Sequence, residues 1–148
     1  MVEISKATTA DVEVISVILG EVEEYYGGEN TPGDPDQIRA ALFSEQPAAT
    51  LLLARDGDDV LGLASTCRLW PAAGADTSLF LKELYVREAA RRRGVARALM
   101  DAVREEALRL SCSRVEWQAD ADNPPALALY EALGFEPHDG KVFFRTTA

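Results

Sequence analysis

The stretch Arg91-Arg92-Arg93-Gly94 stands directly before an apolar pattern of helical period, in a chain with 15 Lys and Arg against 25 Asp and Glu and a formal net charge of −10. A helix N-terminus presents backbone N–H groups without intrahelical partners and the positive end of the helix dipole, so a glycine-containing turn feeding a helix suits a phosphate. Gly94 lets a ligand approach the backbone closely, and the arginines add positive charge at the same place. Cations here oppose the dipole at a cost of about a few tenths of a kcal/mol each, a conflict that a bound anion removes. The plain alternative is a solvated basic turn. Neither the Gly-Lys-Ser/Thr of a P-loop nor the Gly-x-Gly-x-x-Gly of a dinucleotide fold is present.

Three further groups could do chemistry. Glu83 lies in SLFLKELYV, residues 78–86, a run otherwise apolar except for Lys82. Burial of a carboxyl there raises its pKa toward a range useful for proton transfer, unless an arginine or Lys82 pairs with it. Glu116, on a neighbouring predicted strand, is the reserve. The segment LGEVEEYYGGEN gathers Glu21, Glu23, Glu24 and Glu29 around Tyr25 and Tyr26, a combination that could hold a cation by charge and by the aromatic faces, or that simply ends an exposed helix. Tyr130 follows Asn123 by seven residues, so on a helix the two share a face about 10 Å apart. A tyrosine packed with Ala126 and Leu133 is the structural alternative.

The elements that must position these groups read as follows. Val2–Lys6 alternates like a strand, and Thr8 or Thr9 can cap a helix whose stripe is Val12, Ile15, Leu19 and Val22. The Gly/Pro/Asn/Asp cluster 27–36 is a flexible loop, followed by a short helix over Gln37–Phe43. Two β-rich runs flank Asp56-Gly57-Asp58 as a hairpin, and 78–86 is a central strand. Val95, Leu99, Val103, Ala107 and Leu110 mark an amphipathic helix, and 113–119 alternates as a strand, making a βαβ unit with parallel strands. Asn123 as cap, Pro124 at the first position and Gly134 past the end delimit another helix, and KVFFRT, 141–146, reads as a closing strand. The order predicts an α/β fold: a single domain over residues 1–148 with a mixed sheet and helices on its faces.

Composition sets the bounds. With 148 residues and 47% hydrophobic positions, one domain with a real core is expected. No apolar run approaches the roughly 20 residues of a membrane span, and no leader pattern follows Met1, so a cytoplasmic protein is expected. Cys67, Cys112 and the single His138 give neither a thiol zinc site nor a disulfide framework, so no metal is expected. His138, in EPHDGK, reads as a turn residue rather than a base. The acidity argues against nucleic acid or anionic membranes as partners and, where concentrated, favours a cationic ligand.

Taken together, the motifs resemble the GNAT superfamily of N-acetyltransferases, whose signature Gln/Arg-x-x-Gly-x-Gly/Ala lies between a central strand and a long helix. Arg91-Arg92-Arg93-Gly94-Val95-Ala96 fits it, and LYV, ARALMDAVREEA and N-x-x-A-x-x-LYEALGF stand at the expected separations, so the resemblance covers residues 50–146. It implies a mostly antiparallel twisted sheet with a central parallel βαβ unit, and acetyl-CoA as co-substrate. Backbone N–H groups from Arg92, Arg93, Gly94, Val95, Ala96 and Arg97 would hold the pyrophosphate, while Leu84, Tyr85 and Val86 would offer main-chain groups to the pantetheine arm. Arg91 would reach a phosphate or fix the loop, and Arg92 or Arg93 would meet the 3′-phosphate.

By the same resemblance, Asn123 contacts the arm, and Tyr130 is the general acid that protonates the departing thiolate. Glu83 would take the amine proton directly or through water, or anchor the ammonium, and an N–H near Leu84 would serve the oxyanion. Glu24, Tyr25, Tyr26 and Glu83 form the expected acceptor set. The runs LKELYV, NPPALALYEALGF and VFFR look similar to the branch acting on polyamines and related small diamines or amino acids, with protein N-termini, lysine side chains and aminoglycosides as alternative acceptors. A module that binds acyl-CoA as a sensor without turnover is the non-enzymatic alternative. Homodimers are common in the family, which makes one an expectation here.

Overall fold

The computed structural model describes residues 1–148. It falls into two compact units, Met1–Trp117 and Gln118–Ala148. The first contains β1 (Glu3–Lys6), α1 (Val12–Tyr25), α2 (Pro35–Phe43), β2 (Thr50–Asp56), β3 (Asp59–Leu69), β4 (Ser78–Val86), α3 (Val95–Arg109) and β5 (Arg114–Trp117). The second contains α4 (Pro124–Ala132).

The strands form one mixed sheet in the order β1-β2-β3-β4-β5. The first three pairings are antiparallel and β4–β5 is parallel, with α3 as the connection between those two strands. Gly57, at φ +61°, makes the tight β2–β3 turn between the paired Asp56 and Asp59. Strand periodicity then sorts the core. Leu51, Leu53, Leu63 and Tyr85 face Val12, Ile15, Ile18 and Val22 of α1 and Ile38 of α2. The alternate residues Leu52, Ala54 and Ala64 are buried on the opposite face, where α3 packs through Val95, Leu99, Met100, Val103 and Ala107. Full burial of Leu53 and Leu63 contributes about 1.5–3 kcal/mol each.

Several boundaries differ from the sequence reading for local reasons. A 3-10 turn, Thr9–Asp11, precedes α1, and the Thr8 N–H donates to the Asp11 carboxylate at 2.8 Å. Arg55 of β2 holds the same carboxylate at 2.7 Å, and Thr8, the expected cap, and Asp11 together form the capping box that opens the turn into the helix. Ile18, not Leu19, is the wholly buried residue of the third turn, and Leu19 packs at the margin. α2 starts earlier than expected because Asp34 caps it, accepting from Asp36 N–H at 2.8 Å and Gln37 N–H at 3.2 Å, with Pro35 opening the first turn.

The expected flexible loop is stitched back onto α1: Gly28 N–H donates to Glu23 O at 2.9 Å, Gly33 N–H to Ser16 O at 3.0 Å, and Ser16 Oγ to Gly33 O at 2.5 Å. The expected closing strand over 141–146 does not form. A run of β-prone residues suits a strand, but only ladder hydrogen bonds make it one, and none of these residues enters the sheet. Val142, Phe143 and Phe144 are exposed, and β5 is the terminal strand of the sheet beside β4.

Candidate active site

The phosphate-side candidates surround the start of α3. Gly94 is its N-cap at φ +77°, with no side chain capping the first turn, and Ala98 N–H to Gly94 O at 3.1 Å is the first helical bond. The N–H groups of Val95, Ala96 and Arg97 therefore stand ahead of that bond, at the positive end of the helix dipole. A Cβ built on Gly94 meets nothing within 4 Å, so the space over this turn is open. Arg92 also has a left-handed backbone, at φ +66°. The donor set fits a diphosphate.

The arginines divide. The Arg91 Nε–H donates to Val86 O at 3.2 Å, and its guanidinium lies 5.8 Å from the Tyr25 ring centroid. Arg93 pairs with Asp56 of the β2–β3 turn at 2.8 Å, and Asp56 also meets the Met1 ammonium at 3.2 Å. Both contacts lower the Asp56 pKa, the N-terminus more than Arg93. Arg92 and Arg97 are exposed around the same helix end.

A bulge in β4 places the carboxylate. Ser65 pairs with Glu83 and Thr66 with Leu81, which leaves Lys82 as the extra residue. Leu81 and Leu84 share the α3 face with Thr66 and Ala64, their cross-strand partners, whereas Glu83 shares the opposite face with Tyr85. Without the extra residue, Glu83 would point toward α3. The bulge thus explains the charged pair in an apolar strand: Lys82 is exposed and Glu83 is half-buried under the end of α1. Tyr26 Oη–H donates to Glu83 Oε1 at 3.2 Å. Burial raises the Glu83 pKa, and the Tyr26 hydrogen bond and the field of Lys82 only partly oppose this. The alternative reading of Glu83 as one half of an ion pair is not what forms: its hydrogen-bond partner is this phenol.

Beyond the bulge the main-chain groups of β4 alternate again. Arg87 N–H donates to Leu61 O at 2.9 Å, so Arg87, Tyr85 and Glu83 turn their backbone to β3, while Leu84 and Val86 turn theirs away from it. The β4–β5 ladder ends at Leu81 with Trp117, four residues into the nine-residue strand. Within the expected Leu84–Tyr85–Val86 set, the main chains of Leu84 and Val86 therefore face the unpaired side. Tyr85 turns its buried ring toward α1 instead.

On α1, Glu21 is drawn inward from the acidic cluster: its carboxylate accepts from Arg87 at 2.7 and 3.2 Å and lies 3.5 Å from Tyr85 Oη. Burial and Glu21 together raise the Tyr85 pKa. Glu24, Tyr25 and Tyr26 stay at the exposed C-terminal end, where Tyr25 packs edge-on to Tyr26 at 5.2 Å and to Tyr85 at 6.2 Å. Arg87 was absent from the sequence candidates, its only signal being a basic residue at the end of an apolar strand. Glu116 pairs with Arg114 at 3.3 Å. In the second unit, Asn123 Oδ1 accepts from Ala126 N–H at 3.3 Å as the cap of α4, whose first turn carries Pro124. Tyr130 is half-buried in the last turn, closed by Phe135 N–H to Tyr130 O at 2.9 Å and by Gly134 at φ +90°. No group of His, Cys, Asp and Glu able to hold a metal ion is present, and no helix is long and apolar enough to cross a membrane.

Comparison with known proteins places this arrangement. The model of the acetyltransferase (GNAT) family matches residues 17–135, running from the first unit into the second. An aminoglycoside N(6')-acetyltransferase type 1 of Serratia marcescens is 33% identical over 121 residues, 78% of this chain and 83% of that protein. An integron cassette protein from the mobile metagenome of V. cholerae has a TM-score of 0.84 at 27% identity, covering 99% of this chain and 93% of that one. An aminoglycoside acetyltransferase from an uncultured soil metagenomic sample, solved with sisomicin, shares the fold with a TM-score of 0.82 at 16% identity, over 99% and 96% of the two chains.

Proposed function

This chain belongs to the GNAT acetyltransferase family, and on that premise we propose that it acetylates a primary amine of a small polycationic molecule. It is an acetyl-CoA-dependent N-acetyltransferase, which sets aside the reading as a silent sensor. The observation carrying the acceptor class is the meeting of Glu83, Tyr26 and Tyr25 at the C-terminal end of α1. There the negative end of the dipole, the acidic residues Glu23 and Glu24 and two half-exposed phenol rings all favour a cation. Among polycationic amines, the relatives named as aminoglycoside N(6')-acetyltransferases favour aminoglycosides over the simple polyamines as the first class to test.

In this reading acetyl-CoA supplies an acetyl group activated as a thioester. Glu83 receives the proton that an ammonium must lose before its nitrogen can attack, and its raised pKa brings it closer to that of the amine. The Leu84 N–H donates to the acetyl carbonyl oxygen, the N–H groups of Val95, Ala96 and Arg97 and the side chains of Arg92 and Arg97 take the phosphates, and Arg91 and Arg93 fix the loop. The family resemblance assigns Asn123 to the pantetheine arm and the Tyr130 phenol to protonation of the thiolate, which would be released as the C–N bond forms and the C–S bond breaks. We take residues 1–148 as one acetyltransferase domain, working in the cytoplasm as a homodimer. The run of the family model across both units supports the single domain.

The test is thiol release from acetyl-CoA by the purified chain with aminoglycosides bearing a 6'-amine, linear polyamines, basic amino acids and peptides with free N-termini. Polycationic acceptors should accelerate release most, and Tyr130→Phe should slow it by roughly 10²-fold or more. A preference for neutral amines or peptides would overturn the acceptor class.

A further inference from the structure

We propose that Tyr25 and Tyr26 are positioning residues that link the phosphate-side loop to the Glu83 carboxylate, with Arg91 as the anchor at the far end. Each link is a specific contact. The Arg91 Nε–H is held on Val86 O at 3.2 Å, which sets its guanidinium over the Tyr25 ring at 5.8 Å. Tyr25 packs edge-on between Tyr26, at 5.2 Å and 86°, and the buried Tyr85, at 6.2 Å and 72°. Tyr26 Oη donates to Glu83 Oε1 at 3.2 Å.

The backbone brings Tyr26 to the C-cap of α1, its N–H on Val22 O at 3.2 Å, but does not by itself aim the ring. Both rings are half-exposed, so burial does not fix them either. Ring packing and the cation over the ring contribute to their aim, and both start from a loop that must be in place for acetyl-CoA to bind. The consequence is an order in the site: the loop that receives the phosphates also holds the phenol that aims the carboxylate. Arg91 then serves the acceptor side, through Tyr25, and not a phosphate.

The kinetic half of this inference rests on Glu83 being the base, and the experiment separates the two. The groups facing Glu83 are the Tyr26 phenol from α1 and Lys82 beside it on β4; its cross-strand neighbour on β3 is the uncharged Ser65. With 13C-labelled glutamate carboxyls, and Glu83→Gln to assign the resonance, the Glu83 titration is followed without substrate. Tyr26→Phe removes a hydrogen bond to the carboxylate, so the midpoint should move to higher pH. Tyr25→Leu and Arg91→Ala should move it the same way, and Arg91→Lys, which keeps a charge over the ring, should restore part of the shift. An unchanged midpoint in Tyr26→Phe, or in both Tyr25→Leu and Arg91→Ala, overturns the linkage.

The same variants are then assayed for amine acetylation against pH. The acidic limb of kcat/KM should follow the midpoint, and Tyr25→Leu should lower kcat by roughly 10-fold or more, with the KM for acetyl-CoA unchanged. Midpoints that move while the limb stays still leave the linkage standing and remove Glu83 as the base.

Discussion

At the residue scale, the proposed roles of Glu83 and Gly94 and the needs of folding ask for different things. Burial lifts the Glu83 pKa above its ordinary value of 4.5, against the smaller lowering by Tyr26 and Lys82. Just above that ordinary value the folded chain still holds a proton that the unfolded chain has released. The stability this contributes is complete below the ordinary value and is lost as pH rises through the raised one, so at neutral pH the ionised carboxylate weakens the fold. Glu83→Gln should therefore unfold at pH 7 no earlier than the wild type in a thermal melt, while amine acetylation falls by roughly 10²–10⁴-fold. A parallel loss of stability would make Glu83 structural. Gly94 presents the converse case. Its left-handed backbone would cost a branched residue about 1–2 kcal/mol, yet the space around it is open, so no packing is disturbed. Gly94→Val should fold, with a melt lower by several degrees, and bind acetyl-CoA at least about 10-fold more weakly in calorimetry, because the side chain stands over the N–H groups of the first turn.

At the element scale, the loop between α1 and α2 borders the acceptor on the proposed reading, and Gly20 is where it touches the helix. A Cβ there would meet Asn30 Oδ1 and the Thr31 backbone at 3.1 Å. Gly20→Ala gains about 1 kcal/mol of helix propensity, which offsets the displaced loop in a thermal melt. Its signature should appear in kinetics instead: the KM for the amine rises several-fold while that for acetyl-CoA is unchanged, and equal changes in both would detach the loop from the acceptor side.

The sequence disclosed elements whose cause is local. Alternation, apolar and β-rich runs, helical stripes and end signals located every strand of the sheet and all four helices, and Gly94 and Asn123 marked two helix starts by their own chemistry. What stayed hidden depends on distant partners. Asp34 caps α2 by a local bond, but the loop before it looked loose because its bonds go back to Ser16 and Glu23 on α1. KVFFRT has the composition of a strand but joins no ladder of the sheet. Within the site, the charge at Glu83 was visible, yet the bulge at Lys82 that turns it toward Tyr26 is a property of the β3 register. Glu21 and Arg87 are 66 positions apart, and only the fold reveals that the first acidic residue of the cluster is already matched.

At the scale of the whole molecule, one chain of formal charge −10 must receive both a polyanion and, on the proposed reading, a polycation. The long-range field favours the amine and opposes acetyl-CoA, so the positive charge has to be local, and the arginines around the start of α3 supply it. Two of them are already matched: Arg93 to Asp56, and Arg91 to a carbonyl and a ring. On the proposed reading the field at the phosphates therefore depends on Arg92, Arg97 and the helix end, a short-range contribution that salt screens less than the long-range one. Attraction of the amine by the distributed acidic surface acts over distances comparable to the Debye length, about 8 Å at physiological ionic strength. The two substrates should then respond to salt in opposite directions. Raising ionic strength from about 0.02 to 0.3 M should lower kcat/KM for a polycationic amine severalfold, while acetyl-CoA binding by calorimetry should hold steady or tighten as the repulsion of the rest of the chain is screened. Arg92→Gln should weaken acetyl-CoA without altering the salt slope for the amine. If acetyl-CoA binding instead weakens with salt as steeply as the amine kinetics, the phosphates are held by long-range attraction, and the division between a local positive site and a distributed negative surface fails.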